Sequence, residues 1–212
     1  VLPVVSKGAL IIDHSTASPD LARRLSADFS EKGASFIDAP VSGGEAGAKA
    51  GKLSIMCGGE AAAVERARSV LDAYSARIVH VGPSGHGQLA KAVNQICIAG
   101  LLQGLAEGVH FARTAGLDID RVLEAVSGGA ARSWQMENRA KTMAEGAFDF
   151  GFAVDWMRKD LRIALGEARK NGAQLPVTAL VDQFYAEIQA MGGGRNDTSS
   201  LIRRLKPPAA RR

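Results

Sequence analysis

The chain begins with short apolar runs separated by polar turns, then changes to long stretches with apolar residues every three or four positions. Leu10-Ile11-Ile12-Asp13, Ser35-Phe36-Ile37-Asp38-Ala39, Leu53-Ser54-Ile55-Met56-Cys57 and Ala76-Arg77-Ile78-Val79-His80-Val81 each have the length and bounding residues of a buried strand. Ser18-Pro19-Asp20 predicts a helix start, with Ser18 as cap and Pro19 at the first helical position, and Gly33 stops that helix after about Lys32. Val41 to Gly51, rich in Gly and Ala, reads as a loop, and Glu60 to Leu71 has a helical period. Strands alternating with helices imply a parallel or mixed sheet covered on its faces.

From Gly87 onward the pattern is helical. Gly87 to Thr114 reads as one helix, far longer than the average of about 11–12 residues, with small faces at Ala99-Gly100 and Gly104. Further helices are expected at Asp118 to Ser127, Ser133 to Glu145, Val154 to Asn171 and Pro176 to Met191, with a short one after the cap Asp197. The expected architecture is an α/β part followed by an all-α domain, residues 1–84 and 85–212, joined by a long interdomain helix.

Composition narrows the function. Lys+Arg number 26 against 22 Asp+Glu, and much of the excess sits in the tail from Arg203 to Arg212, which reads as a frayed end. That tail has no aromatic residue to stack a base, so no nucleic-acid partner is expected. Cys57 and Cys97 lie in apolar segments and read as buried thiols, and the four histidines lack metal-ligand spacing, so no metal site is expected. No uninterrupted apolar run approaches the ~18 residues of a spanning helix, and a cytoplasmic protein without a membrane partner is the expectation.

Three polar motifs fall at the carboxyl ends of strands, where open α/β sheets collect ligands: Asp13-His14-Ser15-Thr16, Asp38 to Gly44, and Gly82 to Gly87. Ser42-Gly43-Gly44 lets backbone approach a ligand and can offer N–H groups to an anion such as a carboxylate. A flexible turn is the alternative. Lys91 and Asn94, three residues apart, share a helix face and pair a cationic proton donor with an amide, although a solvated lysine fits the same spacing. Lys159-Asp160 fits an ordinary surface pair as well as a site. The Gly-x-Gly-x-x-Gly turn of a dinucleotide-binding unit does not occur with its acidic partner.

Taken in order, Asp13 to Thr16, Asp38 to Gly44, Gly85 to Asn94 and Lys159-Asp160-Leu161 resemble the motifs of the β-hydroxyacid dehydrogenases. That family includes 3-hydroxyisobutyrate dehydrogenases and tartronate semialdehyde reductases, and the resemblance covers essentially all 212 residues. It implies a partial Rossmann-like sheet before the helical domain, NAD or NADP as cofactor, and a small carboxylic acid as substrate. It assigns Lys91 as the catalytic acid/base. Ser42, Gly43, Gly44, Asn94, Phe152 and Asp160 fall to the substrate, and Thr16 and Lys159 to the cofactor. It also implies a homodimer or homotetramer. Two departures stand out. Gln95 replaces the second asparagine of many relatives, and relatives carry about 80 further N-terminal residues holding the glycine-rich turn and the residue that selects NAD or NADP. Residues 1–84 are therefore expected to be the C-terminal part of a dinucleotide-binding domain. The alternative is an inactive truncated fragment that serves only as a helical dimerisation module. Imine reductases usually lack the lysine that Lys91 matches, and 6-phosphogluconate dehydrogenases have His where Val93 precedes Asn94.

Overall fold

The computed structural model describes residues 1–205, so the Lys206–Arg212 part of the basic tail lies outside the described residues. The chain divides into two compact units, Val1–Asn94 and Gln95 onward.

The first unit is a mixed sheet with helices. A short 3₁₀ turn, Leu2–Val4, precedes β1 (Leu10–Asp13), α1 (Pro19–Glu31) and β2 (Ser35–Asp38). Next come β3 (Val41–Ser42), α2 (Gly44–Lys49), β4 (Leu53–Gly58), α3 (Ala61–Leu71), β5 (Ser75–Gly82) and the start of α4 (His86–Thr114). β1 and β2 pair in parallel, with Leu10 opposite Ser35 and Asp13 opposite Asp38, so both strands end level with two carboxylates. β4 then runs antiparallel to β2 and β3 and parallel to β5. Side chains alternate across the sheet with the period of two that strands impose. Ile37, Ile55 and Cys57 pack with Val64, Ala67 and Leu71 of α3 on one face. Phe36 packs with Ala22 and Phe29 of α1 on the other, the two phenylalanine rings stacked 5.8 Å apart.

The expected loop from Val41 to Gly51 is instead a two-residue strand followed by helix α2. Its Gly/Ala composition hid both, because Ala46, Ala48 and Lys49 are helix formers that need only a glycine at the entry. Gly43 supplies it, with φ 130°, and Gly44 follows at φ 59°, backbone that a side chain disfavours. Cys57 is buried as expected, but Cys97 is exposed on α4. A helix with one solvent face tolerates a small apolar residue there.

The second unit is helical: the rest of α4, then α5 (Ile119–Val126), α6 (Trp134–Glu145), α7 (Val154–Asn171), α8 (Pro176–Ala190) and a closing 3₁₀ helix, Thr198–Arg204. Asp118 and Ser133 cap α5 and α6 by accepting from the N–H groups of Arg121 and Met136. The α6 and α7 ends turn off at Gly146 and Gly172, both left-handed. Leu102, Val109, Met143, Met157, Leu161 and Tyr185 form the core that α4, α6, α7 and α8 share. By length and composition α4 is apolar enough to cross a membrane (mean hydropathy 1.3), because Gln95 and Gln103 break the apolar run without adding charge. Its polar residues Gln88, Lys91, Gln95 and Gln103 are buried within protein.

Candidate active site

The N-terminus of α4 is built into the sheet of the first unit. Asp38, at the end of β2, is fully buried and turns both carboxylate oxygens to that helix. Oδ1 accepts from the Gly85 N–H at 2.7 Å and Oδ2 from the Gln88 N–H at 2.9 Å. Two of the helix's otherwise orphaned donors are thereby satisfied, and a negative charge sits at the positive end of its dipole. Burial pushes the Asp38 carboxyl above the usual carboxylate range, against the opposing pull of those backbone N–H groups. Such proximity depends on Gly87. A Cβ there would lie 2.5 Å from the carbonyl oxygens of Asp38 and Met56 and 2.8 Å from Asp38 Oδ2.

With its first turn fixed, α4 presents a polar stripe at three- and four-residue spacing. Lys91 is 8% exposed, and its Nζ donates to the Val41 carbonyl at 2.9 Å. The ammonium is therefore drawn to the strand whose next residues are Ser42, Gly43 and Gly44. Asn94 follows one turn later, partly buried.

The β1–α1 loop carries Thr16. His14 anchors one end. Its Nδ1 lies 2.6 Å from the Ala39 carbonyl, which can only accept, so Nδ1 carries the proton and Nε2 accepts from the Tyr74 hydroxyl at 2.9 Å. Gln88 holds the middle of the loop: its Oε1 accepts from the Ala17 N–H at 3.0 Å and its Nε2 donates to the Ser15 carbonyl at 2.8 Å. Within the first unit, then, Lys91 and the Val41–Gly44 segment are brought together, and the Thr16 loop is tied to the same helix.

Phe152, Lys159 and Asp160 belong to the second unit. Asp160 is 2% exposed; its Oδ2 accepts from Gln95 Nε2 at 2.7 Å and its Oδ1 pairs with Lys159 Nζ at 2.9 Å. Phe152 is partly exposed, on a segment held by Asp197. That buried carboxylate accepts from the Phe152 N–H at 2.9 Å, from the Ser199 N–H at 3.0 Å and from Arg139 Nε at 3.2 Å. Arg139 in turn lies between the rings of Trp134 and Phe150, 4.8 Å from each centroid.

Gln88 is thus a structural member of these sites that motif reading passed over, while Asp38, Gln95 and Asp197 were noted there without these partners. Gln88, Lys91 and Gln95 fall at i, i+3 and i+7 of an otherwise apolar helix, and that spacing was the available signal. Among the described residues no group of His, Cys, Asp and Glu could hold a metal ion.

Comparisons with known proteins give the family. Residues 85–205 match the family described as the NAD-binding domain of NADP-dependent 3-hydroxyisobutyrate dehydrogenase. Residues 1–82 match the NAD binding domain of 6-phosphogluconate dehydrogenase. An oxidoreductase of Shewanella frigidimarina is 60% identical over 199 residues, which cover 94% of this chain and 68% of that protein. The 2-hydroxy-3-oxopropionate reductase of Escherichia coli is 38% identical over 200 residues, 94% of this chain and 68% of its own length. The structure of a Mycobacterium tuberculosis 3-hydroxyisobutyrate dehydrogenase with L-serine superimposes with a TM-score of 0.87 at 31% identity, covering 97% of this chain and 73% of that one.

Proposed function

Because the chain belongs to the β-hydroxyacid dehydrogenases, a family of NAD(P)-dependent oxidoreductases, we propose that it interconverts a small 3-hydroxy acid and its semialdehyde with Lys91 as general acid/base. One observation carries the reading: the Lys91 ammonium is withdrawn from solvent and donates at 2.9 Å to the carbonyl beside Ser42-Gly43-Gly44. A proton donor and a set of anion-binding groups are thus held on one frame. A small hydroxy acid needs both.

On the first unit the hydroxyls of Ser15 and Thr16, at the carboxyl end of β1, suit a nicotinamide dinucleotide. Bound there, the cofactor supplies or accepts the hydride. Ser42 and the Gly43 and Gly44 N–H groups take the substrate carboxylate. Lys91 Nζ gives its proton to the forming alkoxide in reduction and removes it in oxidation. Before reaction the Val41 carbonyl keeps that ammonium oriented. Asn94, one helical turn on, hydrogen-bonds the reacting oxygen. On the second unit, Phe152 and Asp160 serve the substrate and Lys159 the cofactor, with the buried Asp160 holding the Lys159 ammonium. In this reading residues 1–84 are the C-terminal part of the dinucleotide-binding domain and 85–212 the helical domain. Assembly as a cytoplasmic homodimer or homotetramer is part of the same reading.

Steady-state assays with NAD and NADP across a panel of 3-hydroxy acids test the proposal. Lys91→Ala removes turnover by roughly 10²–10⁴-fold, the usual share of a general acid/base, and leaves the circular dichroism spectrum and cofactor binding intact. Retained turnover in that variant overturns the assignment.

A further inference from the structure

We infer that Gln88 is the positioning residue of the cofactor site, a strap that sets the Thr16 loop in register with the helix that carries Lys91. This rests on the reading of Thr16 as a cofactor contact. Gln88 is 1% exposed, so none of its amide is spent on solvent. Its two side-chain hydrogen bonds reach the residues on either side of Thr16, the Ser15 carbonyl and the Ala17 N–H, 73 and 71 positions away in sequence. Its backbone is fixed independently, through the N–H that Asp38 Oδ2 accepts. The amide is therefore a rigid two-pronged bracket on an immobilised helix turn.

Only an amide suits this position without further change. One prong must accept from an N–H and the other must donate to a carbonyl, both without charge, because the site is buried. A carboxylate would still accept from the Ala17 N–H but would turn its second lone-pair oxygen toward the Ser15 carbonyl, and an apolar chain would leave both backbone groups unpaired. The side-chain hydrogen bonds of Gln88 go to the Thr16 loop, whereas Lys91 Nζ donates to the Val41 carbonyl. Its removal should loosen Thr16 while leaving the proton donor where it is.

The test compares wild type, Gln88→Met, Gln88→Glu and Thr16→Val in the full-length protein, by fluorescence titration with NADH and NADPH and by steady-state kinetics. In Gln88→Met the cofactor Kd rises about tenfold, as expected for the loss of the one Thr16 contact to the cofactor. The cofactor kcat/KM falls in proportion, kcat at saturating cofactor falls far less, and the melting curve confirms a folded protein. In Gln88→Glu the Kd relative to wild type is raised at pH 8 and returns toward wild type near pH 5. A protonated carboxyl has the same acceptor and donor as the amide, and a purely structural lesion would not recover in this way. A Gln88→Met/Thr16→Val double variant is no weaker than the worse single one, because both act on one contact. An unchanged cofactor Kd in Gln88→Met, with Thr16→Val weakened, overturns the strap and leaves the proposed function standing. A wild-type protein that binds neither cofactor overturns both.

Discussion

Replacing Asp38 by Asn should destabilise the first unit by removing a buried cap at the start of α4. Both carboxylate oxygens are engaged, at 2.7 Å with Gly85 N and 2.9 Å with Gln88 N. Asn keeps one acceptor and turns an NH₂ toward the other donor, so one charge-assisted bond worth about 1.5–3 kcal/mol is lost and a buried N–H is left unpaired. Loss of the charge at the helix N-terminus adds roughly 0.3–1 kcal/mol. Relief from holding a buried carboxylate opposes these losses, and a net cost of about 3 kcal/mol follows. In a protein of this size that lowers Tm by roughly 6–12 °C. The pH dependence has a defined sign. Because the folded Asp38 carboxyl is raised above its ordinary value of 3.8, its stabilising contribution is full below that value and is lost as pH rises through the raised one. Wild type should therefore lose stability from acid toward neutrality that Asp38→Asn, with no group to titrate there, does not lose, and the cost worked out for the ionised carboxylate is the one read at pH 7. Calorimetry between pH 3.5 and pH 7 measures it, and hydrogen exchange at the Gly85 and Gln88 amides reports the local loss. Equal Tm values, or unchanged protection of those two amides, would refute the capping argument.

Three further outcomes are expected. Gly87→Ala places a Cβ 2.5 Å from two backbone carbonyl oxygens that cannot yield, so it should cost at least about 3 kcal/mol, visible as loss of soluble protein or a collapsed melting transition. Gln95→Leu strips the 2.7 Å donor from the buried Asp160 carboxylate and should cost about 2–3 kcal/mol in urea unfolding, whereas Gln103→Leu on the same helix should cost less. Cys97 is exposed, while the Cys57 thiol is buried and pushed up to about 11 by desolvation and then by the Asp38 charge. At pH 8, Ellman's reagent should titrate one thiol in the native protein and two in guanidinium chloride.

Periodicity carried most of the secondary structure. The apolar run Leu10–Asp13, helix α1 with its Ser18 cap and helix α7 ending at Gly172 lie within a residue of where the pattern puts them, because Ser, Pro and Gly mark most of these boundaries with their own backbone chemistry. α2 escaped notice for the opposite reason: Gly44–Lys49 is too short and too small-sided to show an apolar face. The antiparallel pairing of β4 with β2 was not legible either, since strand direction is set by the chain reversal at β3 and leaves no trace in which residues are apolar. At the candidate site the lysine and the glycine-rich segments announced themselves by residue type. The roles of Asp38 and Gln88 did not, because their significance lies in which backbone groups they meet, and those partners sit 47 to 73 positions away.

The Asp197 network also bears on how the chain is made. The segment carrying Phe152 is tied down by a carboxylate 45 residues downstream, beyond both α7 and α8. A ribosome adding 5–20 residues per second reaches that carboxylate about 2–9 s after Phe152. For that interval the segment has no anchor, and the aromatic rings of Trp134 and Phe150 have Arg139 without its counter-charge. Synthesis of the Asp197 turn is thus the event that locks an earlier loop, which places the vulnerable window for proteolysis and chaperone capture between the emergence of Phe152 and that of Asp197.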